Sequence, residues 1–362
     1  MALALIPRAY ESLLRPLLFT LPPEKAQKVA DRALKMWPLW KAAAQVGGFT
    51  SPRIETRVGG LALKNPVGLA AGYDKNCELL PGLAALGFGY VTCGTVTLEP
   101  RPGNPGTRLL RDESRHALIN ALGFPGLGLD AAAERISADR PLVGNTPVVV
   151  SVSGADIEDI ATCHRTMEPL ADAIEVNISS PNTANLRVFH YPDVLGELLD
   201  ELNESRTRPL FVKLPPFPSH EDDPKRHDLA LSLADVCASK HVDALTVANT
   251  QPVQDERLGV GMGGLSGMPI FGQMLRMVHE VREIVGDNTS INASGGIFNA
   301  WDAWQALLAG TDSVQVMTGF VYRGPGIPRD ISVGLDRMAA LQGLDSVRSV
   351  GRWASAGPAA NA

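Results

Sequence analysis

From residue 66 onward the chain repeats one unit: a short apolar, β-rich run, a polar turn, then a stretch of helical period. The runs are Pro66–Ala71, Tyr90–Val96, Val148–Ser153, Ala173–Ser179, Leu210–Leu214, Ala244–Asn249, Ser290–Ser294 and Ser313–Thr318. Several are near-continuous β-branched stretches, such as Val148-Val149-Val150-Ser151-Val152, without regular polar alternation. That pattern marks strands buried on both faces, the condition of a parallel sheet covered by helices. Helical stretches lie between them, legible at Asp228–Lys240 and Phe271–Val285. Eight such units over about 250 residues predict an α/β fold of the (β/α)8 TIM barrel type rather than a doubly wound open sheet.

Three stretches exceed what a crossover helix needs. Between the second and third runs, Pro100–Pro105 is rich in proline and glycine, and Arg108–Arg111 with Ala117–Ile119 suggests short excursion strands. Residues 186–192 and 251–269 read as further long loops. All three would fall on the C-terminal face of a barrel, where such folds keep their sites.

Composition excludes several classes. There are 33 Lys+Arg against 39 Asp+Glu, a net charge of −6, and only 6% aromatics. A nucleic-acid binder would show a basic excess and stacking residues, so no nucleic-acid partner is expected. Cys77, Cys93, Cys163 and Cys237 show no paired or zinc-type spacing, which fits a reducing compartment. The seven histidines are scattered and no His-Glu-x-x-His occurs, so no metal is expected. There is no phosphate-binding P-loop, and the glycines near Gly259 do not join a strand to a helix in the dinucleotide-binding manner. Glu221-Asp222-Asp223 reads as a solvated turn. No apolar run reaches the ~18 residues of a membrane span.

The first 45 residues form a separate extension, followed by a barrel over 46–345 and a small, polar tail over 346–362. Pro7, Arg8, Glu11 and Arg15 interrupt any secretory apolar region, and Glu11 and Glu24 speak against an acid-poor mitochondrial presequence. Leu13, Leu14, Leu17 and Leu18 recur at helical spacing. A second helix starts at Pro22-Pro23-Glu24 and carries Ala26, Val29, Ala30, Ala33, Leu34 and Trp37 on one face. Two readings stay open: a helical cap packed on the barrel, or a pair of amphipathic helices lying on a membrane surface.

The strand ends carry chemistry. They bring Gly72 to Asn76, Gly94-Thr95, Asn177, the run from Ser179 to Thr183, Lys213, Asn249-Thr250, Gly295-Gly296 and Thr318-Gly319 to one face. An amide both donates and accepts, so Asn76, Asn177, Asn182 and Asn249 suit a ring of alternating N–H and C=O groups. The glycines after the last two strands fit a phosphate site built from backbone N–H groups. Lys213 closes a barrel strand, as a Schiff-base nucleophile or a cation facing a cofactor that becomes anionic.

These residues carry a resemblance from about residue 8 to residue 335. The motifs are L-P-P-E-K-A from Leu21, K-N-P-V-G-L-A-A-G-Y-D-K-N from Lys64, G-T-V-T-L-E-P-R-P-G-N-P from Gly94 and I-N-A-L-G-F from Ile119. To these add N-I-S-S-P-N-T from Asn177, F-V-K-L from Phe211, G-G-L-S-G from Gly263, S-G-G-I from Ser294 and T-G-F-V-Y-R-G-P from Thr318. Together they resemble the membrane-associated, quinone-dependent class of dihydroorotate dehydrogenases, flavin enzymes of pyrimidine synthesis.

The resemblance implies oxidation of dihydroorotate to orotate with FMN, and a membrane quinone as acceptor. It implies substrate contacts from Lys75, Asn120, Gly123, Phe124, Asn177, Asn182, Asn249 and Thr250, with Ser180 as catalytic base. FMN would be held by Ala71, Gly72, Lys75, Thr95, Ser151, Asn177, Lys213, Gly267, Gly296, Thr318 and Gly319. Gln27 and Arg111 would serve the quinone. It further implies a peripheral location on the cytoplasmic side of the cell membrane, held through the N-terminal helices.

Four departures stand out. Ser151 takes the place of a flavin-facing asparagine, Ala248 that of a threonine, Met317 that of a tyrosine, and Gln27 that of a quinone-site histidine. They keep open a diverged FMN-dependent barrel oxidoreductase with another substrate or acceptor. A Schiff-base lyase on Lys213 and a non-catalytic binding protein fit the retained residues less well.

Overall fold

A computed structural model describes residues 9–179, 188–218 and 223–351. Its strands in chain order are β1 (Thr56–Val58), β2 (Leu61–Leu63), β3 (Val67–Leu69), β4 (Tyr90–Val96), β5 (Leu109–Asp112), β6 (Ala117–Asn120) and β7 (Val148–Val152). They continue with β8 (Ala173–Asn177), β9 (Leu210–Lys213), β10 (Ala244–Val247), β11 (Gln251–Gln254), β12 (Met262–Gly267), β13 (Ser290–Ser294) and β14 (Ser313–Val316).

Eight of these close a parallel barrel in the order β3-β4-β7-β8-β9-β10-β13-β14, with β14 pairing back onto β3. Helices such as Ile157–Met167, Pro192–Ser205 and Phe271–Val285 ring it. The (β/α)8 expectation therefore holds. The barrel strands are buried almost throughout, as their apolar runs require; β7 is buried at all five positions. The β1–β2 hairpin brings Val58 and Leu63 against Tyr90, Val149, Ala173, Phe211 and Ala244, residues of the strands' N-terminal halves, and so plugs that end.

The excursion strands also form, as β5 and β6. Residues 251–269 are not simply a loop: β11 and β12 join them in an antiparallel sheet of order β11-β12-β6-β5. Glycine-rich β12 exists because β6 and β11 pair with both its edges. Asp223, read as part of a turn, caps the Pro224–Ser239 helix by accepting from the Arg226 amide at 3.2 Å.

In the described part of the N-terminal extension a π-helical turn, Tyr10–Leu14, runs into the helix Arg15–Phe19. Pro23–Leu34 follows, then a third helix, Trp37–Gly47. Trp37 thus opens a new helix instead of ending the second. Pro38 is the reason: proline is tolerated in a first turn but not in a helix interior. Trp40 Nε1 donates to Ala33 O at 2.8 Å and ties the two helices together. A Cβ on Gly82 would lie 2.2 Å from Leu34 O, so glycine there lets the second helix end against the Leu80–Ala85 helix. Tyr10 Oη donates to Val321 O at 2.7 Å, and ion pairs join Glu11 to Arg323 and Glu24 to Arg108. No helix among the described residues is long and apolar enough to cross a membrane.

Candidate active site

The strand ends converge on a cleft with about 1220 Å³ of empty space, its open mouth included. Ala71, Gly72, Lys75, Thr95, Asn120, Gly123, Phe124, Asn177, Lys213, Asn249, Thr250, Gly267, Gly296, Thr318 and Gly319 all line it. These are the residues singled out from sequence. Ser180, Asn182 and Thr183 lie outside the described residues.

The asparagines are pre-oriented. Asn177 Nδ2 donates to Thr95 Oγ1 at 3.2 Å, while Asn177 Oδ1 accepts from the amide and hydroxyl of Ser179, each at 3.2 Å. Asn249 Nδ2 donates to Ser179 Oγ at 3.0 Å, and Asn249 Oδ1 accepts from the Thr250 amide at 2.7 Å. Asn120 Nδ2 donates to Gly264 O at 3.3 Å, a bond within the excursion sheet that fixes the amide on the cleft wall. Asn76 does not join this group: it lies beside the cleft wall with Thr97 and Gly128, and its Oδ1 is buried without a partner among the described residues.

The charge in the cleft has one sign. Among the described lining residues Lys75 and Lys213 are cations, and there is no carboxylate. Burial pulls Lys75 below the ordinary lysine range, partly offset by Asp31 and Asp74. Lys75 Nζ reaches Gln27 Oε1 at 3.5 Å. Lys213 is 6% exposed, and its side-chain ammonium makes no hydrogen bond to any described residue. A buried ammonium in that state awaits an anionic or acceptor-rich ligand.

The cleft also holds a cradle made by glycine. Gly267 has φ +98°, and a Cβ there would lie 2.2 Å from His116 O. A Cβ on Gly319 would lie 2.2 Å from Ile297 O. Only glycine permits these approaches; Gly319 lies in the first turn of the Thr318–Arg323 helix, whose first N–H groups have no intrahelical partner and can meet an anion. Ser266 Oγ and Thr318 Oγ1 are 2.8 Å apart on its rim. The cradle and the unpaired Lys213 ammonium fit a phosphate-bearing group.

A second cavity, about 1320 Å³ with its mouth, lies between the N-terminal helices and the barrel. Its walls are apolar, including Leu14, Leu17, Leu18, Val29, Ala30 and Phe320, with Tyr10, Gln27, Tyr73 and Arg111 as polar members. Gln27, Leu109, Leu118 and Met317 line both cavities and form a shared wall. Gln27 Nε2 donates to Tyr73 O at 3.1 Å, leaving its oxygen toward Lys75.

Two sequence assignments change in detail. Ser151 is fully buried and does not line the cleft; its Oγ lies 3.0 Å from Thr95 Oγ1. The serine is too short to reach past Thr95, so it supports that residue from behind. Arg111 lines the second cavity as expected, but its Nη1 is already engaged by Phe19 O at 3.1 Å and Leu21 O at 2.8 Å. Sequence reading missed Ser266, Ser294 and Gln315, which also line the cleft. The available signal was position: each is polar within a buried or glycine-rich strand.

A closed barrel with a cationic cleft, a glycine cradle and an adjoining apolar chamber has the form of a barrel enzyme rather than a structural protein. The family model described as dihydroorotate dehydrogenase matches residues 53–338, and the chain belongs to that family. A Novosphingobium aromaticivorans protein named dihydroorotate dehydrogenase (quinone) is 37% identical over 353 residues, covering 93% of this chain and 97% of that one. A Thermus thermophilus protein of the same name is 35% identical over 350 residues, covering 92% and 99%. Among solved structures, the Eimeria tenella enzyme in complex with ferulenol superposes with a TM-score of 0.79 at 28% identity, covering 93% of this chain and 96% of that one. Membership in this family is consistent with a flavin in the cleft.

Proposed function

We propose that the chain oxidises dihydroorotate to orotate in pyrimidine (UMP) synthesis, using FMN and passing the electrons to a membrane quinone. One observation carries the reading: a two-lysine, asparagine-rich cleft shares a wall with an apolar chamber opened by the N-terminal helices. A hydride donor needs the first and a quinone with its apolar tail needs the second.

FMN, when bound, supplies the hydride acceptor for the substrate C6. The chain's own residues do the rest. Lys75 meets the substrate carboxylate, while Asn120, Asn177 and Asn249 present donors and acceptors to its ring N–H and C=O groups. Gly267, Gly296, Thr318 and Gly319, which line the cleft, would hold the phosphate, and Lys213 would supply a cation to the flavin. A single phosphate cradle without a dinucleotide fingerprint favours FMN over FAD. Ser180, next to Ser179 in the chain, takes the C5 proton by its match to the family motif. A lone hydroxyl is a poor base, so the proton leaves through a relay, by Thr183 or a water.

The quinone head would stop at the shared wall. Gln27 offers an amide donor there and Arg111 a cation on the chamber side; Met317 offers neither. Leu13, Leu14, Leu17 and Leu39 are each more than half exposed on the same helices, a surface suited to peripheral contact with the cell membrane from the cytoplasmic side.

The test uses a chain that begins at Trp37, which removes two helices and keeps the third packed on the barrel. Acid-released cofactor should be FMN by mass, and dihydroorotate should still reduce it. Quinone reduction and vesicle binding should be lost. Full turnover with quinone would reduce the helices to a cap, and recovery of FAD, or fumarate or NAD as the better acceptor of the intact chain, would overturn the assignment.

A further inference from the structure

Below the cleft, inside the barrel, lies a carboxylate with no role in the chemistry above. Glu175 on β8 is fully buried. It stands in register with Phe211 on β9, while Asn177, two residues on, pairs with Lys213, which in turn pairs with Thr246 on β10. Glu175 is therefore one inward step beneath the lysine. Thr246 Oγ1 donates to Glu175 Oε2 at 2.7 Å, a bond that runs from β10 to β8 across the inner face of β9, the strand of Lys213. Among the described residues neither Glu175 Oε1 nor the Lys213 ammonium has a hydrogen-bond partner. A buried charge of either sign alone is costly; two opposite charges in one enclosed space are tolerable together.

We propose that Glu175, oriented by Thr246, is a positioning residue for Lys213: its carboxylate is the counter-charge that keeps the lysine an ammonium while its tip faces the cleft. Burial alone draws Lys213 below the ordinary lysine range, and Glu175 opposes that pull. Thr92 Oγ1 and Asn292 Nδ2, also buried without partners among the described residues, add polarity to the barrel interior but no charge. The consequence for a bound flavin rests on the FMN reading; the pairing itself does not.

The two parts are tested separately. Glu175→Gln keeps the volume and can still accept from Thr246, and Lys213→Met removes the cation. In the apoprotein each single variant should lower the melting temperature, and the double variant should melt at or above the better single, because only the singles strand a charge. In the holoprotein the readout is the flavin midpoint potential. Reduced flavin carries negative charge, so a nearby cation raises that potential. Glu175→Gln should shift it to more negative values, in the same direction as Lys213→Met, and should add nothing in the Lys213→Met background. Thr246→Val should give a smaller shift of the same sign and serves if Glu175→Gln does not fold. A positive shift, an unchanged potential or additive melting losses would overturn the proposal. A protein without flavin would refute the FMN reading, and the apoprotein cycle would still decide the pairing.

Discussion

Arg111→Ala should loosen the N-terminal helices while the barrel stays folded. Arg111 Nη1 donates to Phe19 O at 3.1 Å and Leu21 O at 2.8 Å, the two carbonyls that bracket the turn between the first helices. The guanidinium also lies 4.4 Å from the Phe19 ring centroid, and Phe19 packs edge-on against Tyr322 at 5.3 Å. Two hydrogen bonds from a charged donor contribute about 1.5 kcal/mol each, and an exposed cation–π contact about 0.5 kcal/mol. Arg111 is only half-buried and water replaces part of what is lost, so about 2 kcal/mol is a fair net loss. At 1.4 kcal/mol per tenfold, local opening becomes roughly 30-fold more frequent. Amide hydrogen exchange over residues 9–34 should accelerate by about that factor, and KM for quinone should rise. The dihydroorotate half-reaction, whose cleft Arg111 does not line, should keep its rate. Unchanged exchange in those helices would show that Arg111 does not fasten them and would refute the reasoning.

Gly319→Ala places a methyl 2.2 Å from Ile297 O, about 1 Å inside contact distance, so the cradle must open; flavin absorbance relative to protein absorbance should fall sharply on purification. Burial holds the Asp31 carboxyl up to about 6, against 3.8 for a free one. A raised carboxylate pKa favours the folded state below pH 4 and loses that contribution as pH rises to 6, roughly 3 kcal/mol at full value and about 1.5 for a half-exposed group. Asp31→Asn should therefore raise the melting temperature at pH 8 and leave it unchanged at pH 4; equal gains at both would contradict the assignment. Ser180→Ala should retain flavin and orotate binding yet slow flavin reduction by roughly 10²–10⁴-fold in stopped-flow measurements; reduction at the wild-type rate would remove it as the base.

The barrel is legible because a parallel strand has no solvent face: runs such as residues 148–152 admit no other placement. Six of the eight runs extend past the observed strand at the C-terminal side, as in Ala173–Ser179 against Ala173–Asn177 and Ala244–Asn249 against Ala244–Val247. The apolar pattern runs on, yet the backbone there leaves the ladder to aim Asn177, Ser179 and Asn249 at one another. The strand ends are hard to place because the site begins there. β12 was not legible for a different reason, since Met262-Gly263-Gly264-Leu265-Ser266-Gly267 has a loop's composition and its pairing partner β6 lies well over a hundred residues earlier.

The residues behind the site escaped for want of a motif, but a physical signal was present. In a strand covered by helices outside and neighbours inside, an isolated polar residue has nowhere favourable to point except the barrel axis. Glu175 and Asn177 are two apart on β8, and Ser313 and Gln315 two apart on β14, so each pair shares the inner face. On β10, Thr246 alone among apolar neighbours has the same meaning. Reading those positions as inward-facing would have marked Thr246, level with Lys213, and Glu175, one step below it. It would also have explained why Ser151, inward on β7 in register with Glu175, reaches Thr95 and not the ligand. The upper layer binds, and the layer below sets the charge and orientation with which it does so.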